Sequence, residues 1–304
     1  KLIADFVGSL SPSLVEITVP EDSSTLTVKS EDSEAKIKGM DSSEFPLIPT
    51  REGTESPVTM SAALLKEMIA EVAFAAADDE SRPVFTGVLV QVGEKSITFA
   101  AADAFRLAVR KAPLRDFEGK QEDILIPART LSELARILPS EGDVEMVVTP
   151  NRSQVLFHTD QIDLVSRLIE GNFPNYNQII PKETTTRAVI SSKDFAGRIK
   201  LASLFARDSS NITRLKINDK DESLTIEATA EDLGNNVSTL SAKVDGPEQQ
   251  IIFNVKYLSD VMAVIGTAEV AIEVSAATKP GMIKPVGLIE GDYTYVIMPM
   301  HTNR

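Results

Sequence analysis

Few residues in this chain have the types and spacing that catalysis needs. Asp103, between Ala102 and Ala104, could be imagined as a general acid, but a lone carboxylate lacks a partner to tune it and reads better as a turn residue. His158 lies in the strand-like run Leu156-Phe157-His158-Thr159 and reads as a surface or edge histidine. His301 stands alone near the end, so neither has the second histidine a metal site would need. The absence of Cys excludes disulfides and thiolate metal sites. There is no Gly-rich phosphate loop, no HExxH and no Gly-x-Ser-x-Gly elbow. The expectation is therefore no catalytic residue, no cofactor and no metal. The chemistry that remains is recognition, at Tyr295-Val296-Ile297-Met298-Pro299-Met300. Met298 and Met300 are flexible and polarizable enough to remould around several peptides, and Pro299 would break a terminal strand and leave its edge open. Taken alone, the same run could be only an edge strand that closes a core.

The elements that must position these residues form a repeat, clearest at 124–181. A strand at Ile124–Pro127 leads to Thr130, a candidate N-cap whose capping box is completed by Glu133, and to a helix over Leu131–Leu138. Strands Val144–Val148 and Val155–Phe157 follow, then the closing phrase Glu170-Gly171-Asn172-Phe173-Pro174. Residues 251–300 repeat this plan with a strand at Ile251–Asn254, a helix over Tyr257–Gly266 and a strand at Val270–Val274. Residues 1–50 repeat only its helix-led half: a helix over Leu2–Leu10, strands at Val15–Val19 and Leu26–Val28, and the closing phrase Ser43–Pro49. Three copies of one long unit are hard to obtain by chance. The front half of the first copy has no counterpart, so the spacing predicts that Lys1 is not the natural start.

The other halves also correspond. In the second module Ser61 caps a helix running to Ala77, and strands follow at Val84–Val92, Ser96–Ala100 and Phe105–Val109. In the third, Ser192 caps a helix over Phe195–Phe205 after the strand Ala188–Ile190. Strands Thr213–Ile217, Leu224–Ala228 and Val237–Val244 complete it. The run Arg51-Glu52-Gly53-Thr54-Glu55-Ser56-Pro57 reads as a linker. The division is 1–56, 57–181 and 182–304, and strand alternation predicts an α+β fold of antiparallel sheets with helices on one face.

Composition narrows the function classes. At 304 residues the chain is too long for one ordinary core, and 42% hydrophobic content with 5% aromatics and no Trp points to aliphatic cores rather than an aromatic sugar groove. A net charge of −14 argues against coating nucleic acid with the whole surface but leaves room for a local basic face. The run Asp78-Asp79-Glu80 reads as a solvated loop. No stretch has the apolar length of a membrane span and Lys1 opens no signal-like sequence, so a cytoplasmic protein with no membrane partner is expected.

At Ala101-Ala102-Asp103-Ala104-Phe105-Arg106-Leu107-Ala108, Phe173-Pro174-Asn175-Tyr176 and Tyr295–Met300, the sequence resembles the bacterial sliding-clamp family, the DNA polymerase III beta subunits. The motifs fall in the family's order, and the resemblance runs from Lys1 to His301. It departs at the amino end, where half of the first domain is absent, and at Phe105 and His301, where many relatives carry other side chains. The resemblance implies a three-domain DNA clamp in which antiparallel sheets lie outside and helices line the inner face. Two subunits would form a head-to-tail homodimer ring around duplex DNA, without sequence preference and without catalysis. Implied partners are the DNA polymerase III alpha subunit, the clamp loader and other clamp-motif proteins.

The resemblance also implies site residues. A partner-peptide pocket would be lined by Phe85, Ala102, Ala104, Phe105, Arg106 and Leu107 from the second module, with Pro174, Gln178 and Ile179 behind them. Asn254, Tyr257, Val296, Ile297, Met298, Pro299 and Met300 would come from the third, with Arg106 and Asn254 fixing the peptide backbone. Lys66, Arg136, Lys193, Arg198, Lys200 and Lys256, on or beside predicted helices, would face DNA, although solvated helix decoration explains each equally well. The ring contact would pair Phe6, Leu10 and Ile37 with Leu204 and Phe205 of another subunit. Two rivals stay open: a repeated α+β hydrolase using Asp103 or the acidic loops, and a ring or scaffold unrelated to DNA.

Overall fold

The computed structural model describes residues 1–21, 23–44, 57–114, 121–288 and 291–300. The linker over 51–56, the closing phrase from Phe45 to Pro49, and His301 lie outside them. The chain divides into two compact units, Lys1–Ile48 and Pro49–Arg304.

In the first unit α1 (Leu2–Gly8) precedes β1 (Glu16–Thr18), β2 (Thr25–Lys29) and β3 (Glu34–Lys38), which pair as an antiparallel sheet in the order β1-β2-β3. Val28 is fully buried. Phe6, Leu10 and Ile37 are half-buried, and α1 has no buried residue.

The second unit carries one plan twice. The first run is β4 (Val58–Ser61), α2 (Ala62–Val72), β5 (Gly87–Val92), β6 (Ser96–Ala102), β7 (Arg106–Pro113), β8 (Glu122–Pro127), α3 (Ala128–Ile137), β9 (Asp143–Val148), β10 (Gln154–His158) and β11 (Asp163–Arg167). The second is β12 (Thr186–Ser191), α4 (Ser192–Ala206), β13 (Ile212–Asn218), β14 (Ser223–Ala230), β15 (Gly234–Ser241), β16 (Lys243–Asp245), β17 (Gln249–Asn254), α5 (Val255–Met262), β18 (Glu269–Val274), β19 (Gly281–Val286) and β20 (Asp292–Ile297). Pairing repeats as well. The order β8-β5-β6-β7 recurs as β17-β13-β14-β15, and β4-β9-β10-β11 recurs as β12-β18-β19-β20. Every pairing is antiparallel. The two runs are fused where β20 pairs with β7, setting Leu107 opposite Val296 and making one nine-stranded sheet, β16-β12-β18-β19-β20-β7-β6-β5-β8.

Strand alternation gives this sheet two apolar faces. Ile97, Phe99, Ala101 and Ala108 join the main core, which includes Leu65, Met68 and Ile69 of α2 and Leu131 and Leu134 of α3. Ala100, Ala102, Leu107 and Val296 point the other way, into a smaller cluster with Leu89, Leu125 and Tyr176, against which Phe173 and Ile180 pack. The chain after β11 therefore covers the sheet's second face, and the cleft described below opens there.

Helix starts follow local chemistry, with corrections to the sequence expectations. Ser61 caps α2, its hydroxyl accepting from the Leu64 N–H at 3.2 Å. In α4 the cap is Ser191 rather than Ser192, accepting from the Asp194 N–H. Thr130 is not a cap. Pro127 ends β8 with φ −53°, the chain turns directly into α3, and the Thr130 hydroxyl meets that of Ser166 at 3.3 Å. The helix expected from Tyr257 to Gly266 instead begins at Val255 and ends at Met262, because Asn254 caps it through the Lys256 N–H. The strand expected from Val84 begins only at Gly87, since Pro83 starts a short 3-10 turn over Pro83–Thr86. At the other end, α2 gives way after Val72 to a 3-10 turn over Ala73–Ala75, short of Ala77.

Candidate functional site

A cleft of about 140 Å³ opens on the second face of the sheet, beside the β7–β20 junction. Ten of the sixteen expected pocket residues surround it. Phe85, Ala102, Leu107 and Val296 line it together with Pro174 and Ile179. Ala104 and Phe105 border it from the turn before β7, Arg106 from the first position of β7, and Met298 from just after β20. Two lining residues were missed, Phe173 and Tyr176, although both stand in a motif that drew attention to this stretch. Tyr176 is buried and its hydroxyl donates to Gln91 Oε1 at 2.7 Å, while Phe173 packs 6.1 Å from the Phe85 ring. The walls are almost wholly apolar, whereas Phe105 (57% exposed), Ile179 and Met298 stand open to a partner.

The other six do not line the cleft. Ile297 is fully buried in the main core, because neighbouring strand residues face opposite ways. Asn254 caps α5 through its side-chain oxygen, and Gln178 lies exposed in the 3-10 turn Tyr176–Gln178. Tyr257 stacks behind Phe105, with ring centroids 6.4 Å apart. Pro299 and Met300 follow the end of β20, where the Met300 N–H donates to the Ile252 carbonyl at 2.8 Å.

Arg106, expected to hold a peptide backbone, is itself anchored by three protein contacts. Its Nε donates to Asp103 at 2.9 Å, Nη2 to the Phe74 carbonyl at 2.8 Å, and Nη1 to Asp260. The guanidinium also lies 4.6 Å from the Tyr257 ring centroid. Burial would lower its pKa, but Tyr295, Asp260 and Asp103 outweigh that and hold it above the ordinary value. Burial likewise raises the Tyr257 and Tyr295 hydroxyls. Asp103 accepts from the Phe105 and Arg106 N–H groups, so it holds a turn and pairs with Arg106, leaving no role as a general acid. Within that turn Ala104 has φ 83°, a region that costs a side chain with Cβ but not glycine. Ala104→Gly is therefore expected to raise stability by about 1 kcal/mol in urea unfolding; an unchanged or lower midpoint would mean the turn is not strained.

The basic residues divide. Lys66 is half-buried and caps the end of α3, its Nζ donating to the Leu138 carbonyl at 3.2 Å, and Arg136 pairs with Glu133. Lys193, Arg198 and Lys200 are exposed on the α4 face away from Phe195, Ile199 and Ala202, and Lys256 is exposed in the first turn of α5. The same α4 face exposes Leu201 (40%) and Leu204 (49%), while Phe205 packs on the core. His158 is the last residue of β10, an inner strand rather than an edge, half-buried, with its Nδ1 2.7 Å from Asp163 of the neighbouring β11. Among the described residues no group of acidic and histidine side chains could hold a metal ion, and no helix is long and apolar enough to cross a membrane.

Residues 59–175 match the family model for the DNA polymerase III beta subunit, central domain, and residues 177–301 match that for its C-terminal domain. The chain belongs to the DNA polymerase III beta-subunit family. It is 30% identical to a beta sliding clamp of Synechocystis, with 99% of this chain and 80% of that protein covered. It is 32% identical to a beta sliding clamp of Staphylococcus epidermidis, covering 99% and 78%. The crystal structure of a DNA polymerase sliding clamp from Bacillus subtilis superposes with a TM-score of 0.88 at 30% identity, again covering 99% of this chain and 78% of that one. This beta-subunit chain thus has the clamp fold, and its junction cleft lies where the two matched domains share a sheet.

Proposed function

We propose that this chain is a sliding clamp, a ring-shaped, non-catalytic processivity factor that encircles duplex DNA and tethers the replicative polymerase. The observation that carries the reading is the likeness to beta sliding clamps over 99% of the chain, at 30–32% identity and in the same fold. Processivity then comes from topology and effective concentration rather than from a tight grip, which suits a net charge of −14 with a few exposed cations on helices. The reading includes three modules over 1–56, 57–181 and 182–304, cytoplasmic location, and a head-to-tail homodimer. In that homodimer Leu204 and Phe205 would meet the half-buried Phe6, Leu10 and Ile37 of the other subunit. Lys193, Arg198, Lys200 and Lys256 would face DNA. Lys66 and Arg136, already engaged, would contribute less. Loading onto nicked circular DNA with a clamp loader and ATP tests the topology: the protein should be retained on circles and lost on linearisation. Equal retention on linear DNA would mean gripping instead.

The junction cleft would take a short linear peptide from the polymerase alpha subunit, the clamp loader or another clamp-motif protein. A flexible peptide loses freedom on binding, so a few buried apolar anchors must supply most of the affinity, and Leu107, Pro174, Ile179, Val296 and Met298 offer such contacts. A fluorescent peptide with a leading Gln and trailing Leu and Phe is expected to bind at micromolar order, about −8 kcal/mol. Met298→Ala should weaken it by ~1–2 kcal/mol, and superimposable titration curves would remove the cleft as the docking site.

A further inference from the structure

We infer that Asp260, acting through Arg106, is a positioning residue that sets the Phe105–Met298 wall of the cleft; as a statement about peptide binding this rests on the pocket reading above. Asp260 stands in the last turn of α5, where a carboxylate opposes the helix dipole and does the helix no service. Its carboxylate instead accepts from Arg106 Nη1. Arg106 borders the cleft, yet its side chain is only 9% exposed and each guanidinium nitrogen already has a protein partner. A group held by all three of its nitrogens is fixed in place by the protein itself. Its planar fork joins the Asp103 turn, the Phe74 carbonyl and α5 at one point.

What that point controls is local. Tyr257, one turn before Asp260, contacts both the guanidinium, 4.6 Å from its ring centroid, and the Phe105 ring. The Phe105 carbonyl, next to the strained Ala104, accepts the Met298 N–H at 2.8 Å. Arg106 and Phe105 come from the first repeat of this unit, and Asp260, Tyr257 and Met298 from the second. The wall is thus assembled from both repeats, and the ion pair fixes how the two halves of it meet. Phe105 and Met298 are exposed, so packing alone does not hold them.

Asp260→Ala tests this without leaving a buried charge alone, because Arg106 keeps Asp103 and alanine favours the helix. Hydrogen exchange at the Met298 amide is expected to speed up at least ~10-fold, while the Met300 amide, which donates to Ile252 on β17, keeps its protection. Asp260→Asn, which retains an acceptor but not the charge, should fall between. The labelled peptide is expected to bind Asp260→Ala roughly tenfold more weakly, almost entirely through a faster off-rate. Equal exchange at Met298 in variant and wild type would overturn the inference, as would equal acceleration at Met298 and Met300, which would signal general loosening. If Met298→Ala weakens the peptide and Asp260→Ala does not, the pocket stands and the positioning role falls. If the peptide ignores Met298→Ala while Met298 exchange still responds to Asp260→Ala, the wall is set as described and the pocket reading is what fails.

Discussion

Arg110→Leu is expected to cost roughly 3–5 kcal/mol of folding stability, the usual loss when one partner of a buried ion pair is removed. Arg110 on β7 is 1% exposed, and its Nε donates to Glu71 Oε2 at 2.6 Å. The pair sits where the two repeats join, since the Tyr293 hydroxyl of β20 donates to the Glu71 carbonyl at 2.9 Å. Gly291 has φ 73°, and a Cβ there would meet the Lys111 carbonyl oxygen at 1.9 Å and Arg110 Nη1 at 2.7 Å, so the backbone closes tightly over the guanidinium. Burial pushes the Glu71 carboxyl up to about 7 even with the arginine pulling the other way. Without Arg110 the carboxyl would be raised further. The folded form would then hold its proton after the unfolded form has lost it, so the variant's stability should fall as pH rises above the unfolded value, and its deficit should be larger at pH 8 than at pH 5. The double variant Arg110→Leu/Glu71→Leu should recover most of the loss. Urea unfolding of the wild type and the two variants at both pH values decides it, and a deficit independent of pH, or undiminished in the double variant, would show that lost packing rather than an unpaired charge is responsible.

That pair also marks the limit of what the sequence makes legible. The repeat, the succession of helices and strands along the chain and the antiparallel sheets follow from periodicity and caps, which are local: Ser61 three residues before Leu64 is visible in one line of text. The shifted caps at Ser191 and Pro127 are small failures of the same kind, where a neighbouring serine, or a proline that already points the chain into a helix, serves in place of the residue that fits a motif best. Arg106 is a different case. Its position beside the cleft is legible from the motif, but its role depends on Asp260, 154 positions away, and no local pattern announces that pairing. Ile297 shows the same limit within a single strand. A motif places Val296, Ile297 and Met298 together, and only the pleat separates the cleft-facing Val296 from the core-facing Ile297.

Cutting the chain at two neighbouring points should therefore give two different failures. Removing residues 298–304 takes away Met298 and its bond to the Phe105 carbonyl, and Met300 with its bond to Ile252, but leaves β20 whole from Asp292 to Ile297. Peptide affinity is expected to drop at least ~10-fold, while thermal unfolding shifts only slightly, since a wall of the cleft is lost and the core is not. Removing residues 296–304 also deletes Val296 and Ile297, which are 1% and 0% exposed and pair with Leu107 and Arg106 across the junction. Two buried aliphatic side chains contribute roughly 2–5 kcal/mol each, enough to threaten a domain of ordinary stability. The longer cut should thus unfold the junction and lose peptide binding as a consequence. Calorimetry beside the peptide titration separates the cases: a large fall in melting temperature on removing 298–304 alone would mean that the terminal residues close the core, and the cleft would then be a by-product of that closure rather than a site in its own right.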